Sequence, residues 1–143
     1  MRMVYVDDDE ILLEIAQAFL ESFGHTVTCV NDPREARLAV SNVKPDLVLL
    51  DVMMPDMDGV QVLGKLREAG ALADTPVVFV TGNVEREDCR RLLDAGAAGV
   101  IAKPFTPESL REAVTRHYQQ WPLEFRRGDA DAPADVRILA GAG

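Results

Sequence analysis

The apolar run Leu47, Val48, Leu49 and Leu50 stops at Asp51, and the residues after it form a loop closed by Pro55, Asp56, Asp58 and Gly59. Four aliphatic residues in a row suit a strand covered on both faces, as in a parallel sheet. Asp51 then stands at a strand's C-terminal end, the edge on which open α/β sheets bind ligands. A helix cap is the competing reading of the same carboxylate. The pattern recurs along the chain. Short apolar or β-branched runs at 3–6, 26–30, 46–50, 76–80 and 99–102 predict strands, and the segments between them carry helical periodicity.

The first helix shows itself through its polar side, Glu10, Glu14, Gln17 and Glu21, with Ile11, Leu12, Ile15, Phe19, Leu20 and Phe23 covering the remainder. Gly24 stands where a helix needs a left-handed residue to stop. Asn31 or Asp32 followed by Pro33 opens a weaker second helix to about residue 42. A third spans about 60–69 with Gly64 as a soft spot, and a fourth about 85–95, packing Cys89, Leu92 and Leu93 before Gly96. Thr106, Pro107 and Glu108 open the last helix, with Leu110, Ala113, Val114, His117, Tyr118 and Trp121 inward and Pro122 ending it. Five strands alternating with five helices predict a doubly wound, parallel, three-layer α/β domain over residues 1–121. Residues 122–143, rich in Ala, Gly, Asp and Arg, read as a flexible tail or linker whose apolar pieces, Leu123 with Phe125 and Val136 with Ile138 and Leu139, could dock on the body or a partner.

Composition narrows the function classes. A chain of 143 residues suits one domain. Its net charge of −9 argues against a general electrostatic grip on nucleic acid or an anionic membrane. Two cysteines without CxxC spacing form no metal set or disulfide framework, so Cys29 and Cys89 read as reduced packing residues. With no long apolar span and a strand beginning almost at Met1, the expected location is the cytoplasm.

Four of the predicted strands end in a polar group: Asp7 and Asp8, then Asp51, Thr81 and Lys103. Parallel strands bring these ends to one edge. Carboxylates gathered there repel unless a cation sits among them, and Mg²⁺ fits best because it needs few protein carboxylates and keeps water for a phosphate. Three carboxylates balanced by Mg²⁺ and Lys103 leave a neutral pocket able to accept a phosphoryl group. A carboxylate can attack phosphorus and form an aspartyl phosphate, with the lysine and the threonine hydroxyl on phosphoryl oxygens.

The pieces VYVDDDE at 4–10, DLVLLDVMMPDMDG at 46–59, VFVTG at 78–82 and GVIAKPF at 99–105 together resemble the response-regulator receiver domain of two-component signalling. The likeness is to stand-alone, chemotaxis-type receivers, and it implies their flavodoxin-like strand order 2-1-3-4-5. It also implies Asp51 as phosphoacceptor, Asp7 and Asp8 as the acidic pair for Mg²⁺ with Asp8 a direct ligand, and the Met53 backbone carbonyl as a further ligand. Thr81 becomes the switch hydroxyl, Lys103 the phosphate-binding lysine, Pro104 a cis proline, and Asp9 the start of the first helix. The implied partners are a histidine kinase or phosphotransferase and a downstream protein, with a homodimer as one arrangement and no direct nucleic-acid or membrane contact. The implied role is a phosphorylation switch or phosphoryl shuttle rather than an enzyme with an external substrate.

One position departs from the family pattern. Three residues before Lys103, where receivers usually carry Tyr or Phe, this chain has Val100. A haloacid-dehalogenase-type phosphatase would use the Asp7 and Asp9 spacing, but needs a late acidic pair on a strand after the lysine, and none follows Lys103. A calcium loop built on Asp56 and Asp58 would begin at Met54 and end at Lys65, so it fails. A receiver that is part of a longer regulator is the remaining alternative.

Overall fold

The computed structural model describes residues 1–72, 74–125 and 138–139. In chain order the elements are β1 (Arg2–Val6), α1 (Glu10–Glu21), β2 (Thr26–Val30), a 3-10 turn (Pro33–Glu35), α2 (Ala36–Val43), β3 (Leu47–Asp51) and α3 (Gly59–Glu68). Then follow β4 (Val77–Thr81), α4 (Arg86–Asp94), β5 (Gly99–Ala102), α5 (Pro107–Phe125) and β6 (Ile138–Leu139). The strands are all parallel, in the order β2-β1-β3-β4-β5-β6. The first five reproduce the expected order 2-1-3-4-5.

Every residue of β3 and β4 is buried, which is why their sequences lack the alternation of a half-wet strand. Alternate strand residues feed two separate cores. Val4, Val48, Leu50, Phe79 and Val100 pack with α2, α3 and α4, whereas Met3, Leu47, Leu49, Val78 and Ile101 pack with α1 and α5. The two layers hold the sheet as a rigid platform whose C-terminal edge carries the polar residues.

The caps agree with the sequence. Asp9 accepts from the Leu12 amide at 3.1 Å, Asp58 and Gln61 form a reciprocal capping box, and Thr106 and Ser109 exchange bonds of 3.0 and 2.8 Å. Gly24 and Gly96 take φ of +92° and +105° just past α1 and α4. Cys29 and Cys89 are free thiols, half-buried and buried.

Four local expectations change. In α1 the buried residues are Leu13, Ala16 and Leu20, while Ile11 is 71% and Ile15 41% exposed. Apolar residues wrap more than half of this helix, so the polar spacing leaves the centre of the buried stripe open, and contact with the sheet chooses it. Tyr118, expected inward, is 41% exposed on α5. That helix also runs past Pro122 to Phe125. A proline removes one backbone donor and crowds one carbonyl, a cost of roughly 3 kcal/mol in a helix interior, but it does not stop the residues after it from staying helical. Finally, the edge of β5 is paired: Val100 and Ile101 lie opposite Ile138 and Leu139 of β6, a two-residue strand added beside the expected five. An uncovered β5 would present a row of unpaired N–H and C=O groups, and the short apolar segment covers it. The rest of the expected tail, 126–137 and 140–143, lies outside the described residues.

His117 is fully buried on α5 against Gly99 of β5. Burial lowers its pKa to about 4, with the nearby Val100 backbone opposing, so the ring is neutral near pH 7. A Cβ at Gly99 would lie 2.1 Å from His117 Nδ1. Gly99→Ala is therefore expected to destabilise the fold by about 1–3 kcal/mol through overpacking, read as a lower urea midpoint with an unchanged slope.

Candidate functional site

The ends of four strands converge. Parallel register sets Val6 beside Leu50, Asp51 beside Val80 and Thr81 beside Ala102, so the residues that end or follow these strands share one edge. Asp51 is the last residue of β3, 5% exposed, and Asp7 follows β1 at 1%. Lys103 lies one residue past β5. Its Nζ donates to Asp7 Oδ2 and to Asp51 Oδ1, both at 3.0 Å, joining positions far apart in sequence. The Lys103 to Pro104 bond is cis, as the family likeness implied.

Asp7 is held from three directions. Besides Lys103, the Asp9 amide donates to its Oδ1 at 2.9 Å and the Tyr5 hydroxyl to its Oδ2 at 3.1 Å. Asp8 is exposed beside it, and one carboxylate oxygen from each of Asp7, Asp8 and Asp51 lies within 4.8 Å of the others. With all three ionised, Lys103 cancels one charge and two remain. That surplus and an all-oxygen donor set suit a hard divalent cation.

The electrostatics record the crowding. Burial, and then the charge of Asp7, push Asp51 up from an ordinary 3.8 to about 6, against the hydrogen bond and charge of Lys103. Burial disfavours the Lys103 ammonium, but Asp7 and then Asp51 outweigh it and raise its pKa. Burial, and then Asp7, keep the Tyr5 phenol protonated far beyond its usual range.

Thr81 is buried at the end of β4, and its hydroxyl oxygen accepts from the Asn83 amide at 3.1 Å. Asn83 in turn donates through Nδ2 to Asp88 on α4 at 2.8 Å. Met53 stands in the loop after β3 with its side chain 77% exposed. The Gly59 amide closes that loop on the Val52 carbonyl at 2.8 Å. A Cβ at Gly59 would fall 2.3 Å from the Asp51 carbonyl and 2.8 Å from the Phe79 ring, so this position needs glycine for close approach of backbone to backbone.

The structure thus brings Asp7, Asp8, Asp51 and Lys103 into direct contact or ligand range, and places Thr81 on the same edge engaged with its own loop. Two contributors were missed by sequence reasoning. Tyr5 stands two residues before Asp7 on the same face of β1, and Asn83 two residues after Thr81; period-two spacing could have flagged the first.

Sequence comparison agrees with this geometry. The family model described as the response regulator receiver domain matches residues 3–115. The chain belongs to this family. Among curated relatives, the transcription factor SKN7 of Candida albicans is 34% identical over 115 residues, 80% of this chain and 20% of that protein. The DNA-binding response regulator MtrA of Mycobacterium tuberculosis is 35% identical over 139 residues, 97% of this chain and 56% of that protein. The chain therefore spans about half or less of the length of these relatives. Among solved structures, the chemotaxis protein CheY4 of Vibrio cholerae superposes with a TM-score of 0.76 at 28% identity, covering 80% of this chain and 96% of that one. A CheY-like receiver domain protein from Methanospirillum hungatei gives 0.75 at 29% identity, covering 86% and 97%. Receiver domains are phosphorylation switches of two-component signalling, and that is the class of this chain.

Proposed function

We propose that Asp51 accepts a phosphoryl group from a phosphohistidine of a histidine kinase or phosphotransferase, in a Mg²⁺-dependent reaction, and that the chain signals through the resulting change of surface. The observation that carries this is the Lys103 ammonium lying 3.0 Å from both Asp7 and Asp51, at the end of the fully buried strand β3.

An Asp51 carboxylate oxygen forms the new bond to phosphorus as the bond to the donor nitrogen breaks, and the donor imidazole keeps that electron pair. Mg²⁺, when held by Asp7, Asp8, Asp51 and the Met53 carbonyl, would offset carboxylate charge and charge developing on the phosphoryl oxygens. Lys103 is placed to turn one of its hydrogen bonds from Asp51 to a phosphoryl oxygen. The Thr81 hydroxyl, which accepts from the Asn83 amide, is placed to donate its own proton to another. Self-catalysed phosphorylation and dephosphorylation, with no external substrate, complete this reading. Exposed Ile11, Met53 and Val84 give a protein partner apolar purchase, and a kinase partner places the action in the cytoplasm.

A second reading has a specific observation behind it. The likeness to MtrA runs over 139 residues, beyond the 3–115 of the receiver match, which favours a receiver joined to an output domain of a longer regulator. The segment beyond α5 would then be a linker. Intact mass after incubation with acetyl phosphate tests the common core of both readings. A gain of about 80 Da that needs Mg²⁺ and disappears with EDTA is expected; no adduct in Mg²⁺ would overturn both.

Val100 bears on how the signal travels. It is fully buried beside Phe79 and faces the α4 core, and it offers no aromatic lever. A hydrogen-bonded route runs instead from Thr81 through Asn83 to Asp88 on α4. Beryllofluoride is accordingly expected to shift amide resonances strongly over residues 82–87 and weakly over 110–118, because a ligand biases only what differs between the two states. Equal shifts along α5 would contradict this, and Val100→Tyr is expected to enlarge the α5 response.

A further inference from the structure

Tyr5 is a phenol in β1 between the aliphatic Val4 and Val6, and it is among the largest fully buried side chains. A buried hydroxyl there is a cost unless it has a partner, and its partner is a carboxylate of the site, Asp7 Oδ2 at 3.1 Å. Two donors share that oxygen. One is the Lys103 ammonium, on a side chain 23% exposed; the other is the Tyr5 hydroxyl, on a ring at 0%. Lys103 is the mobile donor of the two, since it also serves Asp51 and an incoming phosphoryl oxygen, and the Tyr5 hydroxyl is the fixed one. With the Asp9 amide on Oδ1, the carboxylate remains pinned at both oxygens.

We infer that Tyr5 is a positioning residue for the acidic site, its hydroxyl holding the Asp7 carboxylate in the orientation from which Asp7, Asp8 and Asp51 share a cation. The inference rests on the reading of those three carboxylates as a Mg²⁺ site. Groups that hydrogen-bond metal ligands from behind contribute to affinity by restricting the ligand, and their removal typically costs ten- to a hundredfold. The competing account is that Asp7 merely satisfies a buried phenol. The two differ in what loss of the hydroxyl does to Mg²⁺ binding.

The test is calorimetric titration of the 143-residue chain with Mg²⁺ at fixed pH, comparing the parent with Tyr5→Phe, Tyr5→Met and Asp8→Ala. Melting in EDTA serves as the check of folding. Positioning by the hydroxyl predicts that Tyr5→Phe and Tyr5→Met both bind Mg²⁺ about tenfold more weakly than the parent. Unchanged or tighter binding by folded Tyr5→Phe overturns the inference, as does a loss confined to Tyr5→Met, which would point to the ring. Binding by the parent that Asp8→Ala loses keeps the metal site standing even where Tyr5 proves neutral. A parent that takes up no Mg²⁺ overturns the inference and the metal site together.

Discussion

Asp51→Asn is expected to lose phosphoryl labelling by acetyl phosphate, by more than about a thousandfold, because removing a nucleophile removes the bond-forming step itself. The isosteric amide keeps the shape of the β3 end but supplies no carboxylate oxygen. The neighbours are poor substitutes for different reasons. Asp7 is tied by Tyr5, Asp9 and Lys103, which leaves it little freedom to attack. Asp8 is exposed, outside the direct reach of Lys103. Intact mass and peptide mapping after acetyl phosphate and Mg²⁺ read the result. Labelling of the variant at the parent's level, or a phosphoryl group mapped to Asp8 in the parent, would remove Asp51 from its assigned role.

Stability without metal is expected to rise as pH falls from about 6 toward 3.8, a direction opposite to ordinary acid unfolding. The native Asp51 carboxyl takes up its proton near 6, whereas the unfolded one waits until 3.8, so across that window the native state binds more protons. Above it the ionised group carries a penalty set by about two pKa units, on the order of 3 kcal/mol. Asp51→Asn should therefore melt higher than the parent in EDTA at pH 7.5, by roughly 6 °C for a stabilisation of about 2 kcal/mol. Saturating Mg²⁺ should raise the parent by a similar amount, about 2.7 kcal/mol at a hundred times its Kd, and Asp51→Asn by less. Melting curves at pH 5, 6 and 7.5, with EDTA and with Mg²⁺, decide it. A parent whose EDTA midpoint is flat over that range, with no gain in Asp51→Asn, would show that the carboxylates do not strain the native state.

The site was legible because each of its main residues breaks an apolar run. Val6 to Asp7, Leu50 to Asp51, Val80 to Thr81 and Ala102 to Lys103 are changes of polarity at strand ends, and parallel topology converts four such ends into one edge. The caps were legible for a related reason: Asp9, Asp32 and Thr106 act on amides two or three residues away, so their chemistry is local. The missed contributors, Tyr5 and Asn83, are polar groups whose importance depends on a distance. A tyrosine in a buried strand looks the same in sequence whether its hydroxyl meets a carboxylate or a carbonyl.

The sequence by itself determined the strand runs, the alternation that makes them parallel, and the identity of the residues at their ends, since these follow from local polarity and from side-chain periods of two and 3.6. Tertiary structure decided what those rules leave degenerate. It chose Leu13, Ala16 and Leu20 as the buried stripe of an α1 that is apolar around most of its surface. It carried α5 past Pro122, set Ile138 and Leu139 against the open edge of β5, and gave Asp7 its three donors. Each is settled by contacts between segments far apart in the chain or by competition among several apolar faces for one sheet, and neither is a property of any short window of residues.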